Sequence, residues 1–212
     1  MLLVSEIIKT IPVLKFIGNK SQEISDLVQV DSLSENEKHL SWCSDKNLDK
    51  LKELKKGTVI CSENILKEVM NKNCNYIIVE NPRMAFKQVI EKFYIDKEIK
   101  YGIEKTAFVH PTACIAEFVR IGHNVVIEEN VTIEKLTVIG ANTVILKNTK
   151  IGQRVKIGCN NTIGGIGFGY EKNKNGEYEL IPHIGNVIIE NNVEIGNNTA
   201  IDRAIIGSTW LK

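Results

Sequence analysis

No stretch of this 212-residue sequence is long and apolar enough to read as a membrane span, and it contains no C-x-x-C pair and no G-x-G-x-x-G turn near a first strand. The opening Met1-Leu2-Leu3-Val4-Ser5-Glu6 lacks the basic region and continuous apolar core of a signal peptide, so the sequence reads as cytoplasmic. Neither sign of charge is in excess. With 27 basic and 26 acidic residues the formal net charge is +1, which gives no sign of bulk nucleic-acid or anionic-membrane binding. The five cysteines (Cys43, Cys61, Cys74, Cys114, Cys159) are odd in number and scattered, which argues against a disulfide frame and a zinc site. They read as reduced, mostly buried, small apolar residues. What remains, 43% hydrophobic and 25% charged, is enough to build one or two cored domains.

The most informative feature present is a period of six. Isoleucine or valine stands at Ile103, Val109, Ile115, Ile121, Ile127, Ile133, Ile139, Ile145, Ile151, Ile157 and Ile163. A helix needs a period near 3.6 and a half-buried strand a period of 2, so the ladder predicts a hexapeptide parallel β-helix, one short strand and turn per unit. Gly122, Gly140, Gly152 and Gly158 follow four of the aliphatics, and Asn or Thr often sits a few residues on, where tight corners need small or left-handed-tolerant residues. The ladder breaks after Ile163 and resumes at Ile189, Ile195 and Ile201; an interval of 26 is not a multiple of six, so residues near 164–188 leave the coil. Asn175-Gly176, between Tyr170 and Tyr178, suggests a hairpin tip. A long excursion of this kind is a functional candidate, the alternative being a hairpin without a role.

Residues 1–100 do not follow the rule of six and read as a small α/β domain with a linker, ahead of a β-helical domain over 101–212. Leu3, Ile7 and Ile8 form a short helical face that Pro12 stops. Segments 24–30, 38–42, 58–61 and 76–79 read as strands. Leu48, Leu51 and Leu54, then Ile65, Leu66, Val69 and Met70, then Phe86, Val89, Ile90 and Phe93 are spaced for amphipathic helices. Tyr94 to Lys100, polar and charged, is the linker.

Gly167-Phe-Gly-Tyr170, Ile181-Pro-His-Ile-Gly185, Val187-Ile-Ile-Glu-Asn-Asn-Val-Glu-Ile-Gly196 and Ile201-Asp-Arg203, together with Leu40-Ser-Trp-Cys-Ser-Asp45 and Val79-Glu-Asn-Pro-Arg83 upstream, carry a resemblance over nearly the whole chain. The sequence resembles the UDP-3-O-(3-hydroxyacyl)glucosamine N-acyltransferases of lipid A biosynthesis. That resemblance implies a left-handed β-helix behind a uridine-binding α+β domain. It also implies a homotrimer that moves a 3-hydroxyacyl chain from acyl carrier protein to the 2-amine of an O-acylated UDP-glucosamine, with no cofactor. A neutral histidine acts as general base in that chemistry and a backbone amide stabilises the oxyanion.

By the same resemblance Trp42 takes the place of the aromatic that stacks on uracil; otherwise it is a core residue at a strand end. Asp45 stands where the family has Asn, and a carboxylate accepts hydrogen bonds whereas an amide also donates. Phe168 and Tyr170 are poised for sugar or acyl contact, or for packing of the loop. His183 stands where the family commonly has Gln and shapes the loop or contacts substrate. The family's catalytic histidine falls after the Ile-Asp-Arg motif, beyond Lys212, so no catalytic residue is assigned within this sequence, which reads as a fragment or a truncated homologue. His110 and His123 occupy different positions of their hexads and cannot pair on one face, so no metal site is expected. Two alternatives stay open, an acetyl-CoA-dependent sugar-nucleotide acetyltransferase and a catalytically inert UDP-sugar-binding relative.

Overall fold

A computed structural model describes residues 2–47, 49–67, 71–95 and 99–212. The chain divides into two compact units, Met1–Glu98 and Ile99–Lys212. Leu48, Val69 and Met70 lie outside the described residues, as do 96–98 of the linker.

In the first unit the strands are β1 (Leu2–Leu3), β2 (Lys15–Ile17), β3 (Glu23–Ile24), β4 (Asp26–Leu27), β5 (His39–Trp42), β6 (Gly57–Cys61) and β7 (Cys74–Ile78). The helices are α1 (Val4–Thr10), the single turn α2 (Asp49–Lys52) and α3 (Pro82–Phe93). A five-stranded sheet runs in the order β2-β7-β6-β5-β4, parallel except for the β2/β7 pair. Every residue of β6 and β7 is buried, which explains their short β-branched runs: a strand covered on both faces needs no polar alternation. One core gathers Val4, Ile7, Leu40, Ile60, Ile77 and Val89, the other Leu33, Val59, Tyr76, Ile78 and their neighbours, one on each side of the sheet. Asn81 caps α3, its Oδ1 accepting from the Met84 amide at 3.0 Å, and Pro82 fills the first helical turn. The segment read as one strand over 24–30 is two short strands followed by a 3-10 turn, Val30–Glu35. The Leu51 spacing yields only α2, and Ile65 lies in a 3-10 turn, Glu63–Lys67.

The second unit is a left-handed parallel β-helix with three faces. From Ile103 to Ile157 each ladder residue ends a two-residue strand, and the strands of one face pair in parallel with those of the next coil, as Ile127 with Ile145 and Ile145 with Ile163. Isoleucines 121 to 163 are buried in one continuous core. A second inward position lies two residues before each ladder residue, and there Thr137, Thr143 and Asn161 are buried. Their polar groups are all used: Thr137 Oγ1 donates to the Gly152 carbonyl at 2.8 Å, Thr143 Oγ1 to Gly158 at 2.9 Å, and the Asn161 amide to Gly158 and Gly196. Corner residues recur with φ near +55° to +64°, and Asn124, Asn130, Asn142, Asn148 and Asn160 are among them, the non-glycine type that best tolerates that conformation. Between Ile151 and its partner Ile189 the usual spacing of 18 becomes 38, so the excursion adds twenty residues to one coil.

Cys43, Cys61 and Cys74 are buried, but Cys114 and Cys159 are exposed, correcting the expectation for those two. The hexad decides this: Cys114 precedes an inward Ile115 and so points outward, and Cys159 follows Gly158 at a corner. Burial pushes the Cys43 thiol up to about 11 and the Cys61 thiol to about 12, leaving almost no thiolate at neutral pH. Iodoacetamide at about pH 8 is therefore expected to add two adducts to the folded chain, at Cys114 and Cys159. Intact-mass analysis counts them, and rapid modification of Cys43 or Cys61 would contradict the packing.

Candidate functional site

Two places carry the predicted residues, one in each unit. In the first unit the C-terminal end of β5 brings Trp42 to a cleft of about 450 Å³. Trp42 is half-buried and packs at 6.5 Å, tilted by 37°, on Phe86 of α3. The polar lining is Gln29, Asp31, Ser41, Ser44, Asn47 and Lys50, with Asp31 and Lys50 ion-paired at 2.7 Å. Asp45 is not part of that lining. Its carboxylate accepts hydrogen bonds from the Ser62 hydroxyl and, at 3.0 Å, from the Asn64 amide, so it ties the 3-10 turn Asp45–Asn47 to the end of β6. Two side-chain amides do line the cleft, and the sequence reading passed over both, Gln29 and Asn47. Asn47 Nδ2 makes only a long contact, 3.4 Å, to Ser44 Oγ. The cleft therefore offers what a planar base requires, an aromatic wall and a group able both to donate and to accept.

In the second unit the strand Thr162–Ile166 pairs with Ala200–Arg203, and its register slips between Ile163 and Gly165. Gly164, at φ +91°, turns the chain outward there. Arg203 is buried and its Nε donates to the Gly164 carbonyl at 2.6 Å, which fixes the root of the excursion. The excursion then forms an antiparallel hairpin, Tyr170–Lys172 with Tyr178–Leu180, whose tip is held by the Asn173 side chain accepting from the amides of Asn175 and Glu177.

Phe168 is 95% exposed, its ring 5.0 Å from that of Tyr170. Among the described residues it is the most exposed of the large apolar side chains. Half-buried His183 closes the other side of the glycine run, and its Nδ1 lies 2.7 Å from the Ile181 carbonyl. A carbonyl can only accept, so in the neutral ring Nδ1 carries the proton and Nε2 presents a lone pair. Thus Phe168, Tyr170 and His183 come together, and Trp42 and Asp45 are neighbours in the other unit. The residue missed here is Asp202. Its place in Ile201-Asp-Arg203 was visible, but the strand pairing that sets it opposite Gly165 was not.

The remaining histidines make local contacts: His39 to the Ser32 carbonyl, His110 to Thr112, His123 to Thr106 and, at 3.6 Å, to Glu104. Among the described residues no three His, Cys, Asp or Glu side chains converge as a metal site, and no helix is long and apolar enough to cross a membrane.

No family model matches the chain. It is 38% identical to the UDP-3-O-acylglucosamine N-acyltransferase of Protochlamydia amoebophila (strain UWE25), over 92% of this chain and 61% of that protein. It is 46% identical to the protein of the same name from Campylobacter lari, over 90% of this chain and 62% of that one. The chain belongs to the UDP-3-O-acylglucosamine N-acyltransferase family. It spans about three fifths of the length of these relatives. A UDP-N-acetylglucosamine acyltransferase from Bacteroides fragilis 9343, of known structure, is 28% identical over 52% of this chain and 43% of that one, with a TM-score of 0.40. The likeness to these two relatives covers about nine tenths of the chain and so runs through both units.

Proposed function

We propose that this chain forms part of an N-acyltransferase of lipid A biosynthesis, carrying a 3-hydroxyacyl group from an acyl carrier protein thioester to the 2-amine of a UDP-3-O-acylglucosamine. The observation that supports it most is the extent of the likeness, which takes in both units rather than the hexapeptide ladder alone. In the transfer the amine nitrogen bonds to the thioester carbonyl carbon, the C–S bond breaks, and the carrier thiolate leaves with the proton the amine gives up. The reading takes the protein to be a cytoplasmic homotrimer needing no cofactor. It assigns the general base to none of His39, His110, His123 and His183. Trp42 stacks on the uracil of the nucleotide, and Phe168 and Tyr170 contact the sugar or acyl part.

UDP binding tests the nucleotide half of this reading. In a Trp210→Phe background, where Trp42 is the remaining indole, UDP is expected to quench its fluorescence saturably. Trp42→Ala, followed by calorimetry, should weaken UDP at least about fivefold, since base stacking contributes about 1–3 kcal/mol. Unchanged affinity in that variant would remove the cleft from the nucleotide site. A transfer assay with acyl carrier protein and CoA thioesters then separates the proposed donor from acetyl-CoA.

A further inference from the structure

Gly165, Gly167 and Gly169 alternate along the root of the excursion, so successive bare backbone positions face one side. A β-carbon on Gly165 would lie 2.6 Å from Asp202 Oδ1, and one on Gly169 would lie 3.0 Å from His183 Cε1 and 3.4 Å from its Nε2. At Gly167 the two side chains meet: its β-carbon position is 3.4 Å from His183 Nε2 and 3.6 Å from Asp202 Oδ2. The glycines are thus what leaves room for a histidine and an aspartate to face the same spot.

Both groups are acceptors there. His183 donates through Nδ1 to the Ile181 carbonyl, which leaves Nε2 as a lone pair. A carboxylate at Asp202 offers oxygens that accept hydrogen bonds. Two acceptors turned toward one point repel each other unless a donor comes between them. A hydroxyl brings one proton and can satisfy one of them; a primary amine or ammonium brings two or three and can satisfy both. An N-acylated nitrogen brings one, with an acyl group attached.

We infer that His183 and Asp202, over the Gly165/Gly167/Gly169 strip, form a recognition notch for the free amino group of an amino sugar. It discriminates the unacylated acceptor from its N-acylated counterpart by counting N–H donors. The inference rests on the reading of this chain as part of an amino-sugar acyltransferase, and it makes His183 a binding and positioning residue rather than the base. Arg203, which pins Gly164, and the Thr209 hydroxyl, which donates to the Asp202 backbone carbonyl at 2.8 Å, hold the notch in shape.

The test uses the 212-residue chain with ¹⁵N-labelled histidine at about pH 8, where imidazoles are ordinarily neutral. Long-range proton–nitrogen spectra are expected to show His183 as the Nδ1–H tautomer. D-glucosamine should shift its Nε2 resonance saturably, whereas glucose and N-acetylglucosamine should not. Asp202→Asn should weaken glucosamine affinity at least about fivefold, and so should His183→Leu, with affinity in the His183 variants read from the amide shifts of Gly165, Gly167 and Gly169; His183→Gln, which keeps an acceptor, should largely restore it. Unaltered coil amide resonances show that each variant is folded. An Nε2–H tautomer, an equal response to N-acetylglucosamine, a response indifferent to Asp202→Asn, or no response to glucosamine would each overturn the proposal. UDP quenching of Trp42, with each variant also in the Trp210→Phe background, keeps the two readings apart: loss of UDP binding with glucosamine binding retained removes the nucleotide reading, and the converse removes the notch.

Discussion

Gly140→Ala is expected to destabilise the β-helix by about 3 kcal/mol, at the upper end of overpacking costs. The added β-carbon would lie 2.6 Å from the carbonyl carbon of Gly158, 2.7 Å from its oxygen and 2.8 Å from the Cys159 nitrogen. All three are backbone atoms of the next coil, held by the Gly140 amide's hydrogen bond to the Ile157 carbonyl at 2.8 Å. No rotamer change relieves the clash, so the coils must part and neighbouring ladder bonds lengthen. Gly165→Ala is the informative comparison, because its β-carbon meets only Asp202 Oδ1, an exposed carboxylate oxygen that can swing aside. That substitution should cost less than about 1 kcal/mol. Native-state hydrogen exchange of the coil amides measures both. Equal protection in the two variants would mean that coil spacing is not what demands glycine at 140.

Ile145→Ala carries a comparable effect for the opposite reason. Ile145 is fully buried between Ile127 and Ile163 in the stacked column, and truncation leaves a cavity that coils locked by hydrogen bonds on both sides cannot collapse. A loss of about 2–4 kcal/mol is expected, from lost transfer free energy plus the cavity. Ile103 has the same hexad position but is 51% exposed and pairs on one side only, with Ile121. Ile103→Ala should cost under about 1 kcal/mol. Urea unfolding followed by circular dichroism distinguishes them, and similar costs at the two positions would show that the column does not pack as a continuous core.

The β-helix was legible because its signal is one-dimensional. Each hexad repeats the same requirement, an aliphatic inward, a small residue after it and a left-handed corner, so the sequence states the rule many times. The first unit was less legible. Segment 24–30 has the composition of one strand, yet the chain turns at Val30, where the Ser32 amide bonds back to the Gln29 carbonyl and a 3-10 turn replaces extended backbone. The threonines at the second inward position were missed because a hydroxyl in a core reads as polar until its carbonyl partner on another coil is known.

The candidate site divides along the same line. Trp42, Phe168, Tyr170 and His183 are identifiable from motif and local context. Asp45 sits in the right motif, but its carboxylate is taken by Ser62 and Asn64, seventeen and nineteen residues away, and it is Gln29 and Asn47 that line the cleft.

By itself, the sequence determined the architecture of residues 101–212, the point where the excursion leaves it, and the family, because each of these is written in local spacing and motif. Only the tertiary structure decided which polar groups remain free to meet a ligand. That depends on which partners the folded backbone brings up: Ser62 and Asn64, distant in the chain, occupy Asp45, the local turn sets the Ile181 carbonyl against His183 Nδ1, and the pairing of residues 162–166 with 200–203 carries Asp202 to the glycine strip opposite His183. A side chain's hydrogen-bonding capacity is fixed by its type, whereas what remains of that capacity is fixed by what folds against it.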